Sequence, residues 1–223
     1  MVPPHPHPPY QAVIFDMDGV LTDSEPAFHA AVNDILARYG KHTPVDEYQQ
    51  FIGMHTPAMW TKMLALKEID APLDEILREY EAPLMARLRE PRPSLPGARE
   101  LIDELRGRDV PLALCTASYM RWVEAILRGA ELSGLFDTYS TADDAPAPKP
   151  DPAPYVLAAQ KLGFPPEQCI AVEDSVNGLT SALGSGACVI QLRATGTAAA
   201  PMAGVARIIS SLREFPLEWV SSH

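Results

Sequence analysis

Six residues of this chain have the types and positions from which a reaction could be built: Asp16, Asp18, Thr116, Lys149, Glu173 and Asp174. Each alone has a bland reading. An acidic residue at a strand end is commonly a helix cap or a solvated turn, and Thr116 would suit the N-cap of a helix starting near Tyr119. Lys149, between Pro148 and Pro150, would suit an exposed loop, and Glu173–Asp174–Ser175 an acidic helix start that complements the dipole. Together they would do chemistry. Three aspartates with Glu173 nearby repel one another unless a divalent cation lies between them, and an all-oxygen donor set favours Mg²⁺. A carboxylate kept ionised there can attack phosphorus. Asp18 could carry a proton to the leaving oxygen and then take one from the attacking water. The Thr116 hydroxyl, backbone N–H groups and Lys149 would balance charge on the transferring oxygens.

The elements around these residues would have to deliver them to one place. The run QAVIFD (11–16) reads as a buried strand ending at Asp16. Between about Glu25 and Pro93 apolar residues recur at helical spacing in three segments, and no strand interrupts them. After residue 97, helical patterns alternate with the apolar runs VPLALCTA, FDTYST, CIAVED, CVIQL and finally ARIIS. Such alternation predicts parallel β-α-β units with helices on both faces of the sheet. Ligands of such sheets bind beyond the carboxyl ends of the strands, near the reversal of strand order. Asp16, Thr116, Lys149 and Glu173–Asp174 all follow strands at that edge.

Composition narrows the partners. Of the 223 residues 47% are hydrophobic, which gives ample core, and the formal net charge is −11. That charge, with no basic stretch interleaved with aromatics, argues against nucleic acid. No apolar run reaches the roughly 18 residues that span a bilayer, so no membrane association is expected. The His- and Pro-rich start, MVPPHPHPPY, lacks the apolar segment of a secretory signal and reads as a frayed leader; the expected compartment is the cytoplasm. Cys115, Cys169 and Cys188 read as small buried hydrophobes in a reducing environment.

Four segments, DMDGVLTDSE (16–25), LCTAS (114–118), KPDP (149–152) and AVEDSVNG (171–178), resemble the ordered motifs of the haloacid dehalogenase superfamily. The resemblance covers essentially the whole chain, and its nearest group is the phosphatases of sugar phosphates and similar metabolites, with β-phosphoglucomutase close by. It implies a doubly wound, parallel-sheet, Rossmann-like α/β core of residues 1–24 and 94–223, with an inserted all-helical cap domain of residues 25–93. It also implies Mg²⁺-dependent hydrolysis of a small phosphate monoester through an aspartyl phosphate on Asp16, with Asp18 as general acid and base. Asp16, Asp174 and the backbone carbonyl of Asp18 would hold the metal, with Glu173 behind them. Thr116, Ala117 and Lys149 fall on the phosphate-binding positions. The segment Phe51–Met59 is expected over the site, where His55 is a candidate substrate contact, with an exposed loop histidine as the alternative. Trp60 and Trp122 are read as packing residues.

The alternatives differ in residues. Dehalogenation needs no metal, and Asp18 argues against it. A phosphonate hydrolase would use a cap lysine, for which Lys62 and Lys67 are exposed helical candidates. A mutase would place a His at Phe28, with His29 one residue away, an Arg near Thr56, with His55 adjacent, and a lysine at Tyr119. A non-catalytic homologue that binds a metabolite or partner would have lost a carboxylate, and none is lost.

Overall fold

The computed structural model describes residues 9–196 and 198–221. Six strands form one parallel sheet: β1 (Ala12–Phe15), β2 (Leu112–Cys115), β3 (Thr138–Ser140), β4 (Cys169–Glu173), β5 (Cys188–Leu192) and β6 (Arg207–Ile209). Their order is β3-β2-β1-β4-β5-β6, so the chain reverses direction across the sheet between β1 and β4. Each predicted strand is present; β5 coincides with the run CVIQL and the other five are shorter than their runs by one to several residues. Parallel strands are buried on both faces, and alternation along each strand sorts side chains to two cores. Val13, Phe15, Leu112, Leu114 and Val172 face one side. Ala12, Ile14, Ala113, Cys115 and Ala171 face the other, against Tyr155, Ala158 and Leu179. That second face is mostly small, which lets α7 (Ala153–Leu162) and α8 (Val176–Ser185) lie close to the sheet.

Between β1 and β2 the chain makes α1 (Glu25–Ala37), α2 (Val45–Tyr48), α3 (Thr56–Lys67) and α4 (Leu73–Leu88) before α5 (Ala98–Gly107); α6 (Met120–Gly129) follows β2. The short α2 and the 3₁₀ turn after it, Gln49–Phe51, lie where the spacing of apolar residues predicts no element. α4 runs through Pro83 without a break. The ingoing and outgoing chains of this insertion are tied together: Leu95 N–H donates to Leu21 O at 2.8 Å and the Thr22 hydroxyl to Pro93 O at 3.2 Å. A continuous apolar cluster runs from the sheet into the insertion through Tyr80, Leu84, Trp122 and Ile126.

The leader needs a correction. Residues 1–8 lie outside the described residues, but Tyr10 is held rather than frayed. Its N–H donates to Trp219 O at 2.7 Å, its carbonyl accepts from Ser221 N–H at 2.8 Å, and its ring is buried. Among the described residues no helix is long and apolar enough to cross a membrane.

Candidate active site

The reversal of strand order brings the carboxyl ends of β1 and β4 side by side, with Phe15 level with Val172. Asp16 follows directly, its N–H donating to Val172 O at 3.0 Å. Glu173 ends β4 and Asp174 succeeds it. One carboxylate oxygen each from Asp16, Glu173 and Asp174 lies within 4.8 Å of the others. All three residues are buried, Glu173 completely.

Lys149 occupies the middle of this cluster. Its Nζ donates to Asp16 Oδ1 at 2.7 Å, to Glu173 Oε1 at 2.6 Å and to Cys115 O at 3.0 Å. The lysine is 7% exposed, so the bland reading of an exposed loop lysine does not hold: its ammonium is engaged by two carboxylates inside the cavity. Burial by itself would depress the ammonium, but Asp16 and Glu173 outweigh it and hold its pKa well above the ordinary lysine value. Glu173 is a saturated acceptor, since its Oε2 also takes the N–H groups of Asp174 at 2.8 Å and Ser175 at 3.0 Å.

Two glycines permit this packing. Gly19 has φ +82°, and a Cβ there would lie 2.0 Å from Asp174 Oδ2. A Cβ on Gly178, in the first turn of α8, would lie 1.5 Å from Glu173 Oε1. Ser175 caps α8 by accepting from Gly178 N–H at 3.1 Å, so Asp174 stands just outside the helix rather than capping it.

The phosphate-binding candidates are also brought here. Thr116 and Ala117 line the same cavity as Asp16, Asp18, Lys149 and Asp174. Thr116 does not cap α6; its hydroxyl oxygen accepts from Ser118 N–H at 3.1 Å, and its own N–H is committed to Ser140 O at 2.9 Å. The backbone N–H groups of Met17, Asp18 and Ala117 have no acceptor among the described residues.

The electrostatics call for a cation. The buried carboxylates of Asp16, Glu173 and Asp174 and the half-buried carboxylate of Asp18 face one ammonium. Asp16 is pushed well above the ordinary carboxylate range by burial and then by Glu173. Burial and Glu25 raise Asp18 to about 8, and burial and Glu173 raise Asp174 to about 9. Asp18 Oδ1 and Asp174 Oδ1 are buried with no hydrogen-bond partner among the described residues, an arrangement that costs about 1–3 kcal/mol for each such atom. A hard divalent cation held by oxygens fits this donor set.

The helical insertion closes the cavity from the other side with Glu25 and Phe28 of α1, Tyr48 of α2, Phe51, Thr56 and Tyr80 of α4. Sequence reasoning missed Glu25, Tyr48 and Tyr80. The first stands inside the DSE triplet that ends the first motif, a usable signal; the tyrosines carry none, since α2 itself was not legible. His55 lines an adjoining cavity that shares Thr116 and Lys149 with the first, and its ring centroid lies 6.1 Å from that of Tyr119. Burial lowers its pKa. His29 turns away to Thr43 O, 2.8 Å from its Nε2. Of the cap lysines, Lys67 pairs with Glu47, and neither it nor Lys62 lines the cavity. Trp60 and Trp122 are buried in the apolar cluster, with Trp122 Nε1 donating to Glu81 at 3.0 Å. The thiols of Cys115 and Cys169 are pushed up to about 12, in both cases chiefly by burial.

The sequence profile of the haloacid dehalogenase-like hydrolases matches residues 10–186. The chain is 34% identical over 170 residues to hexitol phosphatase B of Escherichia coli (strain K12), covering 75% of this chain and 77% of that protein. It is 30% identical over 213 residues to a probable pseudouridine-5'-phosphatase of Drosophila melanogaster, covering 92% and 91%. The crystal structure of a mutant CbbY from Rhodobacter sphaeroides in complex with xylulose-(1,5)bisphosphate superposes with a TM-score of 0.86 at 27% identity, covering 95% of this chain and 99% of that one.

Proposed function

The chain belongs to the haloacid dehalogenase-like hydrolases, among their phosphatases, and we propose that it hydrolyses a small phosphate monoester by way of a phosphoryl group carried on Asp16. The observation that carries this reading is the Lys149 ammonium, 2.7 Å from Asp16 Oδ1 and 2.6 Å from Glu173 Oε1. It fixes the Asp16 carboxylate by one oxygen and leaves Oδ2 as the attacking atom. The bond from Oδ2 to phosphorus forms as the bond from phosphorus to the leaving oxygen breaks.

Asp18 is the proton carrier in this reading. Burial keeps it protonated up to about pH 8 before any cation is bound, so it can give its proton to the leaving oxygen. The resulting carboxylate then accepts a proton from the water that attacks phosphorus and frees Asp16. The N–H groups of Met17, Asp18 and Ala117 and the Thr116 hydroxyl would donate to the phosphoryl oxygens, where charge accumulates. Asp16, Asp174 and the backbone carbonyl of Asp18 would hold Mg²⁺; Glu173, with both oxygens already engaged, would steady Lys149 and the Asp174 turn. When bound, the metal supplies positive charge that keeps Asp16 ionised and neutralises the phosphate.

The helical insertion, residues 25–93, is the mobile cap of this scheme: it opens to admit substrate and closes to exclude bulk water. A mutase would need cations on the cap to hold a second phosphate, whereas Phe28 and Thr56 line the cavity at the relevant positions. Net phosphate release, without conversion of β-glucose 1-phosphate to the 6-phosphate, is therefore expected by phosphorus NMR. Trapping tests the covalent step: a millisecond quench and borohydride reduction should leave a modified Asp16 detectable by mass spectrometry. Release of phosphate with Asp16 unmodified at every time point would overturn the reading.

A further inference from the structure

The end of the cavity remote from the reacting carboxylates has its own chemistry. Phe28, Phe51 and Met59 give it apolar walls. Its polar groups are the Glu25 carboxylate, with the Tyr48 hydroxyl against it, and the hydroxyls of Thr56 and Tyr80. Tyr80 is 1% exposed, and its hydroxyl has no hydrogen-bond partner among the described residues although it lies within the field of Glu25. Among the described residues no Arg or His lines this cavity, and the one lysine that does, Lys149, is already shared between Asp16 and Glu173.

We propose that this end is a subsite for an uncharged, hydroxyl-bearing leaving group, read by Glu25 and Tyr80, and that it rejects a second anionic group on the substrate. The inference rests on the phosphatase reading above. A buried hydroxyl without a partner is a position that a ligand hydroxyl can satisfy, and a carboxylate beside it accepts a second one. A second phosphate or a carboxylate would instead lose its water, find no unpaired cation among the described lining residues and face Glu25, which burial and Asp23 raise to about 7 and which carries its charge above that pH. Like charges brought together in this way cost several kcal/mol.

Three substrates on one carbon skeleton test the charge rule: glucose 6-phosphate, glucose 1,6-bisphosphate and 6-phosphogluconate, with 4-nitrophenyl phosphate as a reference that lacks hydroxyls. kcat/KM for glucose 6-phosphate should exceed that of the other two sugar compounds by about a hundredfold, the size expected for a desolvated like-charge clash. Tyr80→Phe should lower the ratio of kcat/KM for glucose 6-phosphate to that for the aryl phosphate by about tenfold, the effect of one buried hydrogen bond. Glu25→Gln should raise the relative acceptance of the bisphosphate by about tenfold through relief of one like charge. Equal turnover of the bisphosphate, or an unchanged ratio in Tyr80→Phe, overturns the subsite while leaving phosphatase activity in place. Absence of phosphate release from all four compounds, the aryl phosphate included, overturns the phosphatase reading itself.

Discussion

Replacing Gly178 by alanine pits a local gain against a loss at the site. In an ordinary helix the change stabilises by up to about 1 kcal/mol, because glycine has more backbone freedom to lose. Gly178 lies in the first turn of α8, and its φ is not positive, so the backbone itself tolerates alanine. The new Cβ, however, would lie 1.5 Å from Glu173 Oε1 and 1.9 Å from its carboxyl carbon. Glu173 must swing away. That breaks the 2.6 Å contact with Lys149 and disturbs the bonds from Asp174 and Ser175 N–H. Parting a buried, hydrogen-bonded ion pair costs about 3–5 kcal/mol, which outweighs the helical gain several times over.

The net loss is therefore about 2–4 kcal/mol, or roughly 10 °C in Tm for a chain of this size. Activity should fall as well, since Lys149 and Asp174 lose their support. The same helix supplies the control. Gly184 is exposed, and a Cβ there would sit 3.5 Å from Pro152, in ordinary contact. Gly184→Ala should thus raise Tm by about 1–3 °C. Thermal melts of both variants in chelator, followed by phosphate release in Mg²⁺, make the comparison. Shifts of the same sign in the two variants, or a Gly178→Ala protein as stable and active as wild type, would refute the placement of Glu173.

Three further outcomes are expected. Asp16→Asn should abolish phosphate release with the fold retained, because the amide is isosteric but is not a nucleophile toward phosphorus; activity within about tenfold of wild type would be incompatible with the proposed covalent step. Chelation should silence the enzyme reversibly, Ca²⁺ should inhibit through its looser coordination, and added Mg²⁺ should raise the Tm of wild type but not of Asp174→Ala; equal stabilisation of both would remove Asp174 from the metal site. Arg121 donates to both Glu81 oxygens, at 2.5 and 3.0 Å, tying α6 to α4 across the junction of sheet and insertion. The pair is partly exposed and contributes no more than about 1 kcal/mol, so Arg121→Ala should speed hydrogen exchange across α4 with little change in Tm. Unchanged exchange would deny it a part in holding the cap.

Much of the core was legible because its signals are local. Six apolar runs became six parallel strands, and the strand-end rule brought Asp16, Thr116, Lys149 and Asp174 to one cavity. What the sequence could not convey is where a long side chain ends. Lys149 sits on a loop flanked by prolines, the usual mark of solvent, yet its ammonium reaches under the site to Asp16 and Glu173. Only the tertiary approach of β1, β4 and that loop creates the four-carboxylate field that pulls the cation inward. Tyr10 was misread for a related reason. Its partners, Trp219 and Ser221, are some 210 residues away along the chain, and nothing near it in sequence announces them.

On the cap side the difficulty was angular. One residue along a helix turns the side chain by about 100°, so an uncertainty of one position in matching α1 decides whether an aromatic or a histidine faces the substrate. In both doubtful pairs it is the uncharged residue that lines the cavity of Asp16 and Lys149. Phe28 lines the cavity, with its ring 5.8 Å from that of Trp122, while His29 turns to Thr43 and Asn33 on the far side. Thr56 lines the cavity, and His55 faces the neighbouring one. Each substitution of an uncharged residue for a cation removes a hold on a second phosphate, and Glu25 adds a repulsion. In the proposed reaction hydrolysis needs neither hold, because water brings no charge to be balanced and would ask only for Asp18 as base. On the proposed covalent step, the same rotation of α1 that turns His29 to Thr43 would leave water as the nucleophile best suited to a phosphorylated Asp16.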